Sequence, residues 1–516
     1  MSKQIRNLGV FLVVCYAALF LQVNRLTVFD AEALQDKPEN TRQIKRDFSS
    51  PRGDIVSADG VVLAESVPTD DQYELQREYP TADLFGHVTG HFTYQLGSAG
   101  VEDSYNDYLN GEDIGFSLDR LGDLFVDRDV VGDVILSLRA DVQQVARDSL
   151  GGQEGSVVAL DPRNGEILAL WSFPSYDPNL LATHDFTAAE AESTRLNDAA
   201  IGAPIRARSF QQTEFPGSTF KVVTATAGIE RGGVTPDSPV YPVSDAYQAQ
   251  TGSGPTGAPV PNFGGSSCGG ALFEILQNSC NSAFAQMGVE DAGPEALVDV
   301  AEAFGFNEDL PFDLPVELPD VARSSVPTEV EGTPLSQNLG VVAQMSIGQN
   351  DVRATPLQMA LVAAAVANEG NIVGPHVMRE VLDDQGNRVE EYDPEVIAQP
   401  MSTQTADTLY DAMVSVVTDG SADRLDEGLD EFVVGGKTGT AQLGTDPPRS
   451  HAWIIGFAGP EGEVPHVAVA VIVEGQEGAS EQTGGRVAAP IAAAVMQQAL
   501  APPDQAEQDG GSDAGG

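Results

Sequence analysis

Leu8 to Val23, LGVFLVVCYAALFLQV, carries no charge and almost no polar group, and this run constrains the chain more than any other. Its length falls a little short of the roughly 20 residues that a helix needs to cross a bilayer. Ile5 and Leu26 can extend it, and the flanking Arg6 and Arg25 can snorkel from its ends. A cleaved signal peptide is the alternative to an anchor, but no small-x-small cleavage site follows the run, which favours the anchor. With Lys3 and Arg6 ahead of it, the positive-inside rule keeps residues 1–7 in the cytoplasm and residues 8–24 in the cell membrane as a single pass. Everything after Arg25 is then expected on the outer face.

The rest of the chain is acidic, with 77 Asp plus Glu against 27 Lys plus Arg and a formal net charge of −50. A field of that sign repels a polyanion, so no nucleic-acid partner is expected, and any anionic substrate has to meet a local positive site. Hydrophobic residues make up 41% of the chain, enough to bury a large core, and its length suits two or more domains. Lysine is scarce: Lys3, Lys37, Lys45, Lys221 and Lys437 are the only five. Compositional drift would account for that, and so would life at high salt, where charges are screened within about 3 Å at 1 M. Neither explains why Lys221 and Lys437 persist. The three cysteines and six histidines lack zinc-site spacing and any HExxH pattern, so neither a metal nor a cofactor is expected. An external location permits a disulfide between Cys268 and Cys280; two unpaired, small apolar residues are the alternative.

Apolar alternation in Ile55–Ala58 and Val61–Ala64 around Asp59-Gly60 predicts a hairpin. Ala140–Leu150 has an amphipathic helical pattern. A new block opens near Gly155, where SVVALDP and EILALWS predict two strands around the turn Arg163-Asn164-Gly165. Further strands are expected at Val433–Gln442, Ala452–Ala458 and Val467–Val473, and helices at Ser218–Arg231, Ala271–Met287 and Pro356–Ala367. The mixture shows no regular βαβ alternation, which points to an α/β chain of the α+β kind, an antiparallel sheet flanked by helices. The expected organisation is an N-terminal domain over 25–150, a larger one over 151–500, and a disordered tail over 501–516 that is acidic, rich in glycine and free of aromatics.

Within FPGSTFK, Ser218 and Lys221 stand at i and i+3 where Pro216-Gly217 would start a helix, so they share a face. A serine hydroxyl becomes a nucleophile when a base takes its proton, and an amine can do so once burial or a second cation lowers its pKa. A helix N-terminus also offers backbone N–H groups to an oxyanion. Ser279-Cys280-Asn281 offers a hydroxyl that can relay protons and an amide that can orient a lysine, although Ser-x-Asn is more often a helix cap. In GGKTGTAQ, strand alternation puts Lys437 and Gly439 on one face and Thr438 and Thr440 on the other unless the edge twists. A protective edge-strand lysine is the plain reading of that segment alone.

Taken in order, these three motifs resemble the penicillin-binding proteins and serine β-lactamases. The longer stretches GSVVALDPRNGEILALWSFPSYDPN, SIGQ at Ser346–Gln349 and HAWIIGFAGP extend the likeness to the transpeptidase domain of a class B penicillin-binding protein. SPRGDIVSADGVVLA and GVEDSYNDYLNG resemble the N-terminal pedestal of that class. The resemblance implies a D,D-transpeptidase that crosslinks peptidoglycan stem peptides, is acylated by β-lactams and works beside a membrane glycan polymerase. It implies Ser218 as nucleophile, Lys221 as base, Ser279 with Asn281 as relay and orienting pair, and Lys437 as the source of positive field. Thr438, Gly439 and Thr440 would form the substrate-binding stretch, with the N–H groups of Ser218 and Thr440 as oxyanion donors.

A β-lactamase would need a deacylating glutamate, and no Glu-x-x-Leu-Asn lies between the second and third motifs. A D,D-carboxypeptidase stays open on motifs alone. A silent scaffold in a wall-synthesis complex is disfavoured by the intact Ser218, Lys221 and Lys437. Gly265-Ser266-Ser267-Cys268-Gly269 also fits the G-x-S-x-G elbow of α/β hydrolases, but PNFGG, not a hydrophobic strand, precedes it.

Overall fold

A computed structural model of the chain describes residues 3–25, 49–93, 95–111, 131–316, 319–446, 448–476 and 482–502. The expected disordered tail lies, from residue 503 on, outside the described residues. Helix α1 spans Lys3–Asn24, and its segment Lys3–Gln22 is long and apolar enough to cross a membrane. At 1.5 Å per residue it measures about 33 Å, close to the hydrocarbon thickness of a bilayer.

The predicted hairpin is present as β1 (Ile55–Val56) and β2 (Val62–Pro68), paired antiparallel with Ile55 opposite Ala64. Gly60 takes the turn at φ +86°, the conformation for which a residue without Cβ is suited. β3 (Leu75–Glu78) extends the sheet beyond β2, and β4 (Asp133–Leu136) pairs parallel with β1. Two strands from far along the chain, Met378–Leu382 and Arg388–Glu391, complete six strands on the β4 side. This sheet therefore draws residues from both sides of position 150. Below it the fully buried Glu102 accepts from Arg52 Nε at 2.5 Å and Arg77 Nε at 2.6 Å, which compensates a carboxylate taken out of water.

Helix α2 forms over the predicted residues Ala140–Leu150, and the Asp59 carboxylate of the hairpin turn accepts from the N–H groups of Ala140 and Asp141 at its start. The second sheet begins with β5 (Gly155–Leu160) and β6 (Ile167–Phe173). Then follow α3 (Lys221–Glu230), α4 (Leu272–Gln277), α5 (Asn281–Gln286), α6 (Pro356–Ala367) and α7 (Thr403–Thr418). The remaining strands are β7 (Val433–Gln442), β8 (Ser450–Gly459) and β9 (Val467–Val473), before the last helix α8 (Gly484–Leu500).

The five strands run β7-β8-β9-β5-β6, all neighbours antiparallel, as the absence of βαβ alternation led us to expect. Every residue of β8 and β9 is buried, so both faces of the sheet are covered. α6 packs across β9, β8 and β5 on one face, and α8 with α2 covers the other. α6 is apolar all round and buried along its length; Thr355 caps its start by accepting from Gln358 N–H, and Pro356 takes the first helical position. The two lobes meet where Tyr105 OH donates to Asp313 at 2.7 Å, a carboxylate that also accepts from the N–H groups of Val377 and Met378.

Two predicted helices differ from what is observed. The one expected at Ser218–Arg231 begins as a 3-10 turn, Gly217–Phe220, and becomes α-helical only at Lys221. The one expected at Ala271–Met287 breaks into α4 and α5, with Ser279 between them at φ +53°. Its carbonyl is taken by Lys221 and its neighbour Cys280 is bonded to Cys268, so local helical propensity yields to tertiary partners.

Candidate active site

Because β7 is the edge of its sheet, its outer side is free to meet other elements, and the Gly217–Phe220 turn packs there. Gly217 stands at φ +53° with its Cα against the Thr440 carbonyl and the Ala441 backbone, where a β-carbon would lie 3.0 Å from Thr440 O. On the other side its N–H donates to Gly348 O at 3.0 Å, within the SIGQ turn. Gly348 also has positive φ, and a β-carbon there would collide with Gly217 O. Two glycines thus let the Ser218 turn wedge between the sheet edge and the SIGQ turn. Ser346 of that turn is buried and its carbonyl accepts from Thr224 of α3, which ties the turn to the same helix.

Ser218 is half-buried and lines a cleft of about 290 Å³ together with Ser279, Asn281, Thr438 and Thr440. Lys221, one helical turn on, is fully buried. Its Nζ lies 2.7 Å from Ser279 O, 2.7 Å from Asn281 Oδ1 and 3.1 Å from Ser279 Oγ; none of its hydrogen bonds goes to Ser218. Lys437 is also fully buried, its Nζ 2.9 Å from Ser279 Oγ and 3.0 Å from Thr438 O. Both lysine side chains therefore converge on one serine hydroxyl.

Burial pushes the Lys221 amine well below the usual lysine range, and the nearby Lys437 charge pushes it the same way. Burial alone brings Lys437 down to about 7. Hydrogen accounting then fixes the arrangement around a neutral Lys221. The two carbonyl oxygens, Ser279 O and Asn281 Oδ1, can only accept, so they take the two amine hydrogens. The amine lone pair is left toward Ser279 Oγ, whose hydroxyl can donate to it while accepting from Lys437. Asn281 is itself held by donation from Nδ2 to Pro261 O at 2.9 Å.

Strict alternation along β7 does not describe how its side chains are used. Thr438 and Thr440 line the cleft, as their shared face requires. Lys437, placed on the other face by alternation, still meets this site, its long stem carrying Nζ to Ser279 Oγ and the Thr438 carbonyl. Gly439 is not part of the cleft wall: a β-carbon there would press on Trp453 Cβ at 2.9 Å, Pro216 O at 3.0 Å and Thr219 Cγ2 at 3.0 Å. Cys268 and Cys280 form a disulfide with Cα atoms 5.8 Å apart; Cys268 lines the cleft and Cys280 is buried behind it. Ser267, the centre of the G-x-S-x-G match, is exposed and followed by a strand rather than a helix, so that elbow is not built.

Other cleft residues carry no motif signal in the sequence. Ser421, in the loop after α7, shares a 2.8 Å hydrogen bond with Thr438 Oγ1, and Thr483 to Gly485 bring the start of α8 to the cleft. Among the described residues no Asp or Glu lines it, although the chain carries 77 of them.

Residues 155–497 match the family model described as the penicillin binding protein transpeptidase domain, and residues 52–135 match the penicillin binding protein A dimerisation domain. The chain is similar to peptidoglycan D,D-transpeptidase PbpA of Mycolicibacterium smegmatis, 36% identical over 97% of this chain and 99% of the relative. It is 34% identical to the protein of that name from Mycobacterium tuberculosis strain H37Rv, again over 97% of this chain and 99% of the relative. Among solved structures, the penicillin G acyl-enzyme complex of penicillin-binding protein A from M. tuberculosis superposes with a TM-score of 0.74 at 34% identity, covering 88% of this chain and 100% of that one.

Proposed function

Since this chain belongs to the penicillin-binding protein transpeptidase family, we propose that it crosslinks peptidoglycan stem peptides through an acyl-enzyme formed on Ser218. The observation that carries the residue assignment is the convergence of Lys221, Lys437, Ser279 and Asn281 beside Ser218 in one cleft. Lys221, held neutral by burial, turns its lone pair from Ser279 Oγ to Ser218 and takes the hydroxyl proton as Oγ bonds to the carbonyl carbon of the penultimate D-alanine. The amide C–N bond breaks, and the proton passes through Ser279 to the departing amine of the terminal D-alanine. An amine of a second stem peptide then attacks the ester, forms the crosslink and returns Ser218 to its hydroxyl form.

The N–H groups of Ser218 and Thr440 hold the oxyanion. Thr440 O faces the Ser218 turn, and in an antiparallel strand the N–H and C=O of one residue point to the same side, which supports Thr440 as a donor there. Thr438 and Thr440 hold the substrate carboxylate under the positive field of Lys437. That no described Asp or Glu lines the cleft supports the idea that so acidic a protein admits an anionic peptide or a β-lactam there.

In this reading residues 25–150 form the pedestal and 151–500 the catalytic domain. α1 anchors the protein with Lys3 and Arg6 on the cytoplasmic side and the catalytic lobe outside, where a membrane glycan polymerase supplies the strands to be joined. Incubation with a fluorescent β-lactam is expected to add one adduct to the wild type and none to Ser218→Ala, read by intact mass. Labelling of the variant would move the nucleophile elsewhere. Crosslinked dimers from stem peptides supplied with an acceptor amine are expected over trimmed monomers; trimmed product alone would make the protein a carboxypeptidase.

A further inference from the structure

Thr438 is the side chain assigned above to the substrate carboxylate, and its hydroxyl is not alone. Ser421 Oγ lies 2.8 Å from Thr438 Oγ1, and both residues line the cleft. Two hydroxyls sharing one hydrogen bond consume one hydrogen between them and keep the other for a third group. Whichever of the two donates internally, the pair presents one O–H donor to the cleft. A carboxylate, which only accepts, is the ligand chemistry that such a pair serves; an ester, with its negative charge removed, uses it far less.

The position of Ser421 is fixed from behind. Its carbonyl packs against Gly485, where a β-carbon would collide with Ser421 O and come within 3.3 Å of Thr438 Cγ2. Gly484, beside it, lies against the backbone of Trp453 and Gly439. The paired glycines thus allow α8, 17 residues long, to start against β7 and the Ser421 loop. Thr483 does not cap this helix with its side chain, and with Gly484 and Gly485 it lines the cleft, so the positive end of the helix dipole stands at the cleft wall next to the hydroxyl pair.

We propose that Ser421 is a specificity-determining residue that orients the Thr438 hydroxyl, and with the start of α8 forms a pole selecting ligands that carry a carboxylate. The inference rests on the acyl-enzyme reading above. It explains how the cleft keeps its preference for an anion when only one buried lysine supplies positive charge.

The test compares benzylpenicillin with its methyl ester on the full-length protein in detergent, with second-order acylation rates followed by intact mass. In the wild type the acid is expected to react faster than the ester. In Ser421→Ala the acid-to-ester ratio is expected to fall about 3- to 10-fold, the size of the one neutral hydrogen bond by which Ser421 orients Thr438, and Ser421→Thr to restore it. The loss is expected in the saturation constant rather than the limiting rate. An unchanged ratio, or equal losses for acid and ester, would assign Ser421 to structure alone and overturn the proposal. Failure of the wild type to acylate with either compound would instead overturn the acyl-enzyme reading itself.

Discussion

A lysine in water at neutral pH is protonated, and a protonated Lys221 could take no proton from Ser218. Its burial beside Lys437 removes that obstacle, and the two lysines then impose opposite demands on pH. Acylation needs Lys221 neutral, whereas carboxylate capture needs Lys437 charged. Acylation by a carboxylate-bearing β-lactam is therefore expected to fall as pH rises above about 7, the value to which Lys437 is brought. The methyl ester should lack that alkaline fall in a parallel pH–rate profile; the same fall for both would remove Lys437 from carboxylate binding. Stability carries the reverse sign. Between about 7 and the ordinary lysine value of 10.5, the unfolded chain binds the proton that folded Lys437 releases, so its contribution to stability rises with pH across that window. Lys437→Met is expected to raise the melting temperature at pH 6.5, by on the order of 1 kcal/mol of stability, while acylation falls; a buried charge is replaced by a hydrophobe of similar reach. A lower melting temperature would mean that the hydrogen bonds to Ser279 and Thr438 outweigh the desolvation.

Around these lysines, the placement of the second motif depends on one covalent tie. The segment from Leu272 to Gln286 would suit a continuous helix by propensity, yet Ser279 sits at φ +53° with its carbonyl turned to Lys221. The disulfide joins the next residue, Cys280, to the short strand Cys268–Gly270, which pairs with Tyr241–Ser244. Closing a loop across a separation of 12 residues removes denatured-state freedom worth about 3 kcal/mol. Reduction of the full-length protein is expected to lower the denaturation midpoint accordingly and to slow acylation, because the left-handed Ser279 loses its anchor. Acylation at the oxidised rate after complete reduction, checked by thiol titration, would show that the helices alone hold the break. The contrast with α6 is instructive: there Thr355, Pro356 and an uninterrupted apolar run agree, and the element is found over the predicted residues.

For the molecule as a whole, a net charge of −50 means that compaction works against self-repulsion. Raising ionic strength from 0.1 M to 1 M shortens the screening length from about 10 Å to about 3 Å, so the melting temperature is expected to climb with sodium chloride. A flat or falling trend would show that the acidic surface is dispersed enough to impose no strain, and would end the high-salt reading of the lysine scarcity. The sequence by itself determined a membrane-length apolar helix, the hairpin around Asp59-Gly60, the strands of the antiparallel sheet and the three motifs, because each is written in neighbours along the chain: turn residues, alternation, helical spacing and a lysine kept where lysines are rare. Only the tertiary structure decided that Lys437 reaches the hydroxyl that also meets Lys221, that Gly348 makes room for the Ser218 turn, and that Ser421 backs Thr438. Those contacts join segments up to 158 positions apart, and chain-local periodicity carries no information about which distant backbone will close against which.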